Sequence, residues 1–126
     1  MPFVPAKGEI LTIHSKELKS DKILMKEIFV LPLGNHNFKV GSTYDWDKLD
    51  ENPSEEGRKE LVSKLDNLLD CSYTITGHCA GIRPAVKDRK PVMGLHPNYK
   101  IIGIFNGLGT KGATLAPYFA HQLWNF

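Results

Sequence analysis

The sequence contains little cysteine. Its 126 residues include only two, Cys71 and Cys79, which is too few for the disulfide framework of a small secreted protein. Both fall on one predicted strand, where the backbone rises about 3.3 Å per residue, so the pair is too far apart for a disulfide bond. We therefore expect free thiols and a reducing, cytoplasmic location.

The sequence also lacks a strong charge imbalance and a long apolar run. Lys and Arg number 16 and Asp and Glu 14, a net charge of +2, which argues against nucleic acid or an anionic membrane as the main partner. The longest stretch without a formal charge, residues 112–126, is interrupted by Pro117 and His121 and falls short of the roughly 20 apolar residues of a membrane span. Residues 1–8 lack the apolar core of a signal peptide.

The pattern of apolar residues predicts several strands. Alternating or β-branched apolar residues indicate strands over residues 9–15, 23–33, 38–43, 71–85 and 99–106, with a short extension at 92–94. The polar run of residues 34–37 between the second and third of these predicts a hairpin turn. Most of the sheet is therefore expected to be antiparallel.

Two helices accompany these strands. The first is predicted to start with Asn52 as its N-cap and Pro53 at the first helical position, and to end near Asp70. Its apolar stripe consists of Leu61, Leu65, Leu68 and Leu69. The second helix is predicted over residues 113–124. The chain length suits one domain. Together, the predicted strands and helices indicate an α+β fold: a mostly antiparallel sheet, one covering helix and a C-terminal unit of strand, Gly-rich loop and helix.

The Gly-rich loop is the first candidate site. It consists of Gly107, Leu108, Gly109, Thr110, Lys111 and Gly112. Such a turn lets backbone N–H groups approach an anion, and the helix dipole and the Lys111 charge add positive potential. The spacing matches the dinucleotide-binding fingerprint, but too few residues follow for that motif's second strand and acidic residue. From the residues alone, a turn that needs glycine for steric reasons and an anion-binding turn both stay open.

Arg83 is the second candidate, because it ends a predicted strand and is followed by Pro84. A guanidinium group placed there suits a carboxylate, which it binds through two parallel hydrogen bonds. A surface position or an ion pair with Asp88 is the alternative. The five histidines lack the spacing of a zinc site, and no cysteine is placed to act with a histidine. No metal site and no catalytic side chain is therefore predicted.

Taken in order, these segments resemble a known family. Residues 80–97 are similar to the Ala-Gly-x-Arg-Pro-x-x-x-Asp-x-x-Pro-x-x-Gly segment of the D-amino acid oxidase-like FAD-dependent oxidoreductases, to which glycine oxidase and sarcosine oxidase belong. Residues 107–112 and 115–117 resemble the C-terminal flavin loop and helix of that family. Residues 7–11, 29–32 and 40–43 resemble strands of its substrate domain, so the resemblance covers nearly the whole chain.

The resemblance implies roles for particular residues. Arg83 matches the arginine that binds the substrate carboxylate, and Phe29 stands near the substrate where glycine oxidase-like proteins place a tyrosine. Gly81 and the six residues from Gly107 to Gly112 are expected to bind FAD, with Lys111 near the pyrimidine edge of the flavin. Residues 1–95 are expected to be substrate-domain-like and residues 96–126 to contact the flavin, within a single domain. The reaction implied is hydride transfer from a small amine or amino acid to flavin.

A departure from the family concerns its nucleotide-binding Rossmann part, which precedes the segments matched here. The 126 residues contain no equivalent, so we expect a C-terminal fragment that is inactive alone, whose partner is the missing N-terminal FAD-binding domain. A homodimer that covers an exposed apolar face is a further expectation. Two alternatives stay open: a non-catalytic binding module, and a subunit that docks on a separate flavin-binding chain.

Overall fold

The computed structural model describes residues 3–124, which divide into two compact units. The sheet unit comprises Lys7–Ile82. The hairpin unit comprises the described residues up to Ala6 together with those from Arg83 onward. The prediction that residues 1–126 form a single domain, divided near residue 95, stays a prediction.

The sheet unit is built on a five-stranded sheet. Its strands are β1 (Ala6–His14), β2 (Leu24–Met25), β3 (Phe29–Gly34), β4 (Asn37–Gly41) and β5 (Thr74–Arg83). Their order across the sheet is β2-β3-β4-β1-β5, and the β2–β3, β3–β4 and β4–β1 pairs are antiparallel. Val40 lies opposite Leu11 on β1 and opposite Val30 on β3, so apolar side chains meet across the strands.

Helix α1 (Glu55–Asp66) covers one face of this sheet. The strand period of two directs Leu11, Ile13, Val30 and Val40 to that face, where they pack with Leu61 and Leu65 of α1, all with 0% exposure. The predicted leucine stripe is therefore the core-facing side of the helix. The helix ends four residues earlier than the predicted Asp70, because the chain turns at Asn67 and Leu68, yet Leu68 and Leu69 still pack against the core.

Two local predictions are wrong. Residues 23–33 form a hairpin of β2 and β3 and not a single strand, because the polar pair Lys26 and Glu27 makes a turn closed by the Lys26 N–H bond to the carbonyl of Ile28, 3.0 Å. The N-cap of α1 is Ser54 and not Asn52. Ser54 Oγ accepts a hydrogen bond from the Gly57 N–H, which places the first turn after Pro53.

The hairpin unit pairs β6 (Val92–Leu95) with β7 (Gly103–Asn106) in antiparallel register. A 3-10 turn (Gly109–Lys111) then leads into helix α2 (Gly112–Trp124). The predicted strand 99–106 is shorter than expected, because residues 96–102 form a connecting turn in which Ile102 N–H bonds to the carbonyl of Tyr99. Residues 3–124 thus form a mixed α+β structure with antiparallel pairing and two α-helices, and both cysteines are free thiols.

Candidate functional site

Phe29 lies on the sheet face opposite α1. Val30, its neighbour, points into the core with 0% exposure, so the strand alternation turns Phe29 to the other side. Its half-buried ring covers Gly41, the residue directly opposite on β4. A Cβ added to Gly41 would lie 3.0 Å from Phe29 Cζ and 3.0 Å from Ile10 Cγ1. Phe29 and Ile10 therefore form part of an apolar surface that no helix of the sheet unit covers.

Strand β5 brings Gly81 to the same face. His78 on β5 points to the α1 side, where it bonds to Glu9. Alternation then places Cys79 and Gly81 on the opposite side, and Cys79 Sγ lies 3.7 Å from the carbonyl oxygen of Ile10. A Cβ added to Gly81 would meet nothing within 4 Å. Two predicted site residues, Phe29 and Gly81, thus share one face of the sheet, with β4 and β1 between their strands.

Arg83 is the last residue of β5 and belongs to the hairpin unit. It is half-buried, and its carbonyl accepts a hydrogen bond from Ala85 N–H at 2.9 Å, which turns the chain directly after the strand. The predicted carboxylate-binding residue therefore sits at the point where the strand ends and the backbone changes direction.

The Gly-rich loop needs glycine at two positions. Gly107 and Gly109 have φ angles of +75° and +56°, in the left-handed region that side chains with a Cβ rarely adopt. Gly107 is also buried, and a Cβ there would lie 3.1 Å from Val86 Cγ1. Gly109, in contrast, is exposed and has open space around it. A steric requirement therefore explains why residue 107 is a glycine, whereas the backbone at Gly109 is accessible from the surface.

The same loop forms the start of α2. Lys111 N–H bonds to the carbonyl of Leu108 at 3.1 Å, closing the 3-10 turn, and α2 begins at Gly112. Thr110 and Lys111 are exposed. The first N–H groups of a helix have no acceptor within it, and the helix dipole adds positive potential there. An exposed backbone at Gly109 beside this helix start, with the Lys111 ammonium group, is suited to a negatively charged or carbonyl-bearing group of a ligand.

A buried charged cluster in the sheet unit was not predicted from the sequence. It contains Lys7 and Glu9 of β1, which are 2% and 3% exposed, together with Ser54 and His78. Glu9 Oε2 accepts hydrogen bonds from Ser54 N–H (2.9 Å) and from His78 Nε2 (2.7 Å), and Oε1 accepts one from Ser54 Oγ (2.7 Å). Lys7 Nζ lies 3.7 Å from Glu9 Oε1 and 2.8 Å from Asp50 Oδ1.

These contacts set the ionisation of the cluster. Burial disfavours the Glu9 carboxylate, but the hydrogen bonds from Ser54 and His78 outweigh burial and hold the pKa of Glu9 below its ordinary value. The hydrogen bond to Asp50 raises the pKa of Lys7. A sequence signal for the cluster exists: Lys7 and Glu9 alternate in phase with Leu11 and Ile13, so β1 carries two ionisable residues on its core-facing side.

Other kinds of site find no support in the described residues. Within residues 3–124, no group of three or more His, Cys, Asp and Glu side chains is arranged to hold a metal ion. No helix in that range is both long enough and apolar enough to cross a membrane. Two surface depressions, one along the outer side of α1 and one between Leu18 and Phe38, include none of the predicted site residues.

Comparison with known proteins gives consistent matches. The family model of the FAD dependent oxidoreductases (DAO) matches residues 1–124. Glycine oxidase of Bacillus subtilis (strain 168) is 29% identical over 118 residues, which are 91% of this chain and 32% of that protein. The chain therefore spans about a third of the length of the curated relatives it matches.

Solved structures show the same relation. Iminodiacetate oxidase from Chelativorans sp. BNC1 superposes with a TM-score of 0.79 and 27% identity, covering 97% of this chain and 35% of that one. Glycine oxidase from Geobacillus kaustophilus superposes with a TM-score of 0.82 at 18% identity, covering 99% of this chain and 35% of that one. The second likeness concerns the fold alone.

Proposed function

The chain belongs to the DAO family of FAD-dependent oxidoreductases, and from this membership we propose that it supplies the substrate-facing and flavin-edge part of an enzyme that oxidises an amine or an amino acid. The observation that carries the proposal is the exposed Gly109 backbone at the start of α2. It offers a dipole end and open space to the carbonyl-bearing edge of a flat ring. FAD, when bound, supplies the hydride acceptor.

On the flavin side, the proposed contacts are mainly backbone groups. The turn that precedes α2 is formed by Leu108, Gly109 and Thr110, and Lys111 adds an exposed positive charge. Positive potential at the pyrimidine edge favours the negative charge that a reduced flavin carries. Gly107 contributes indirectly, because its left-handed backbone and its close packing against Val86 set the course of the turn. Gly81 and Gly112 complete the proposed cofactor-binding set.

On the substrate side, the proposed carboxylate ligand is Arg83. Two of the relatives above are named for glycine and iminodiacetate, and each compound carries a carboxylate close to an amine. A guanidinium group binds such a carboxylate through two parallel hydrogen bonds. Phe29 is proposed as an apolar substrate contact on the open sheet face. Its phenyl ring has no hydroxyl group to donate a hydrogen bond, so an acceptor on the substrate, such as a carboxylate oxygen, must find that donor elsewhere.

We also propose that this 126-residue polypeptide does not retain FAD or act as an oxidase by itself. The fingerprint that binds the ADP half of a dinucleotide consists of a strand, a Gly-rich turn, a helix, a second strand and an acidic residue. The Gly-rich segment at residues 107–112 lacks that continuation within these 126 residues. The test is the visible absorbance of the purified chain after incubation with FAD and gel filtration. Near-stoichiometric flavin would contradict the proposal.

The function itself is tested in a chimera. The chain replaces the matching 118 residues of Bacillus subtilis glycine oxidase, whose remaining residues supply the other two thirds of the enzyme. We expect a yellow protein whose flavin is reduced anaerobically by a small amino acid or amine. Arg83→Lys should weaken binding of carboxylate substrates at least tenfold, because it removes the two-pronged contact, whereas the exposed Arg89→Lys serves as the matched control. A flavin-loaded chimera that no amine or amino acid reduces would refute the function.

The apolar surface of the hairpin unit supports a partner for this chain. Within residues 112–124, α2 is rich in apolar residues and has no buried side chain, and Ile101 and Trp124 are 97% and 88% exposed. Exposed apolar surface of this kind marks contact with further polypeptide. We propose that the flavin-binding part of the enzyme covers it. Light scattering of the isolated chain tests the alternative of a homodimer.

A further inference from the structure

Helix α1 begins with one half of a capping box. In that motif the N-cap hydroxyl accepts the N–H of the third helical residue, and a Glu or Gln side chain at that third position accepts the N–H of the N-cap in return. Ser54 makes the first bond, since its Oγ accepts Gly57 N–H at 3.0 Å. The third helical residue is Gly57, which has no side chain to make the second.

Glu9, from the distant strand β1, makes the missing bond. Its Oε2 accepts Ser54 N–H at 2.9 Å and its Oε1 accepts the Ser54 hydroxyl at 2.7 Å. It also occupies the space where a side chain on Gly57 would start, because a Cβ added there would lie 2.5 Å from Glu9 Cδ and 2.5 Å from Oε2. The absence of a side chain at Gly57 and the presence of the buried carboxylate are therefore complementary.

The same carboxylate joins further elements of the sheet unit. His78 of β5 bonds to Oε2 at 2.7 Å, and Lys7 of β1 lies 3.7 Å from Oε1. The ionisable groups around it are Lys7 and His78 directly, Asp50 and Asp45 through Lys7, and the exposed first-turn residues Glu55 and Glu56 of α1. Within residues 3–124, the cation next to Glu9 is therefore Lys7, and the helix start adds positive potential.

We infer that Glu9 is an acid-sensitive clasp, which fastens the start of α1 to β1 and β5 while it is ionised and releases that first turn when it is protonated. A protonated carboxyl group loses one acceptor position and the attraction of Lys7 and of the helix start. The second half of α1 is held differently, through Leu61 and Leu65, which are fully buried and carry no ionisable group. Release is therefore local: the first turn and the preceding loop, residues 42–54, open while the helix–sheet packing remains.

The direction of the pH effect follows from the ionisation of Glu9. Its pKa in the folded chain lies below the ordinary value. The clasp is therefore complete above the ordinary pKa of a glutamate, and it is lost as the pH falls through the lower value that Glu9 has in the fold. Neutral and mildly acidic solutions keep the first turn closed.

Native-state hydrogen exchange of the full chain, followed by NMR from neutral pH to about pH 3 and corrected for intrinsic exchange, tests the clasp. We expect the amides of Ser54 and Gly57 to lose protection about tenfold or more at the acid end, as for loss of a charge-assisted hydrogen bond. Amides in the second half of α1, such as that of Leu65, should keep theirs. Uniform loss along α1 would show global unfolding and overturn the inference.

Variants separate Glu9 from other carboxylates. In Glu9→Gln, the Ser54 and Gly57 amides should be less protected at neutral pH, and their acid-induced loss should disappear. The matched control is Glu60→Gln, which removes an exposed carboxylate of α1 that bonds to Lys64 Nζ at 2.6 Å, and it should behave as the unchanged chain. Acid-induced loss that persists in Glu9→Gln would overturn the inference.

Two more variants keep the test decisive if Glu9→Gln does not fold. Ser54→Ala retains the Glu9 charge but removes a donor to it, so the midpoint of the acid release should move to higher pH. An unchanged midpoint would contradict the clasp. The double variant Glu9→Ala with Gly57→Glu rebuilds a local capping box, and it should protect the Ser54 amide better than Glu9→Ala alone. No gain in protection would show that Glu9 does not act as the missing half of the box.

Discussion

Substitution of Gly57 by alanine reverses a general rule in this protein. In the middle of an exposed helix, alanine stabilises by up to about 1 kcal/mol relative to glycine. Here the new methyl group would lie 2.5 Å from Glu9 Cδ and Oε2 and 2.7 Å from Oε1, where ordinary carbon contacts need about 3.5–4.0 Å. The carboxylate must move by about 1 Å or the first turn of α1 must shift.

The size of the effect depends on how firmly Glu9 is held. Its side chain is buried and accepts three hydrogen bonds, from Ser54 N–H, Ser54 Oγ and His78. Overpacking costs about 1–3 kcal/mol, and loss of a hydrogen bond to a charged group costs about 1.5–3 kcal/mol. Against a helix gain of about 1 kcal/mol, we expect Gly57→Ala to lower the free energy of unfolding by about 2–4 kcal/mol.

Equilibrium urea unfolding, followed by far-UV circular dichroism, measures this change, and a double-mutant cycle assigns its cause. In a Glu9→Ala background the obstructing carboxylate is gone, so Gly57→Ala should be neutral or stabilising, with a coupling energy of about 2 kcal/mol or more. The matched control is Gly81→Ala, whose Cβ meets nothing within 4 Å, and it should stay within about 0.5 kcal/mol of the unchanged chain. A Gly57→Ala chain as stable as the parent would refute the reasoning.

The remaining predictions concern the core, the alkaline range and the flavin loop. Leu65→Ala should cost about 2–5 kcal/mol in urea unfolding, because Leu65 is fully buried and leaves a cavity. Burial and the hydrogen bond to Asp66 raise the pKa of Tyr73 to about 12. The stability that the protonated Tyr73 contributes is therefore present below pH 10 and is lost as the pH rises towards 12. Tyr73→Phe should make the melting temperature depend less on pH in that range. Gly109→Ala, at a φ of +56°, should destabilise by about 1–2 kcal/mol and reduce flavin retention in the chimera, whereas Gly112→Ala, at a helical φ of −54°, should leave the stability of the chain unchanged.

The leucine stripe and the Gly-rich turn could be predicted from the sequence because both are local patterns. Leu61 and Leu65 recur with the helical period, so they share a face whatever they pack against. Gly107 and Gly109 follow an apolar strand and precede a helix, and a sharp change of direction there requires left-handed backbone. The family resemblance was likewise a matter of ordered local segments, and the match over residues 1–124 confirms it.

The hairpin of residues 23–33 and the true N-cap show where local patterns mislead. A mostly apolar stretch with one polar pair is compatible with one strand or two short ones, and the pairing of Leu24 with Val30 shows that there are two. Asn52 and Ser54 are both good N-caps by residue type. Ser54 is the N-cap because the carboxylate of Glu9, a residue distant in the sequence, accepts hydrogen bonds from the Ser54 N–H and hydroxyl groups.

By itself, the sequence indicated most of the strands, the core side of α1 and the Gly-rich turn, which follow from the spacing of neighbouring residues. Its ordered segments carried the resemblance to the family. Only the tertiary structure decided what Glu9 does, because its partners Ser54 and His78 lie 45 and 69 positions away in the chain. A buried ionised group is stable only when such partners surround it. No pattern along the chain records which distant residues those are, and the packing of β1, β5 and α1 brings them together.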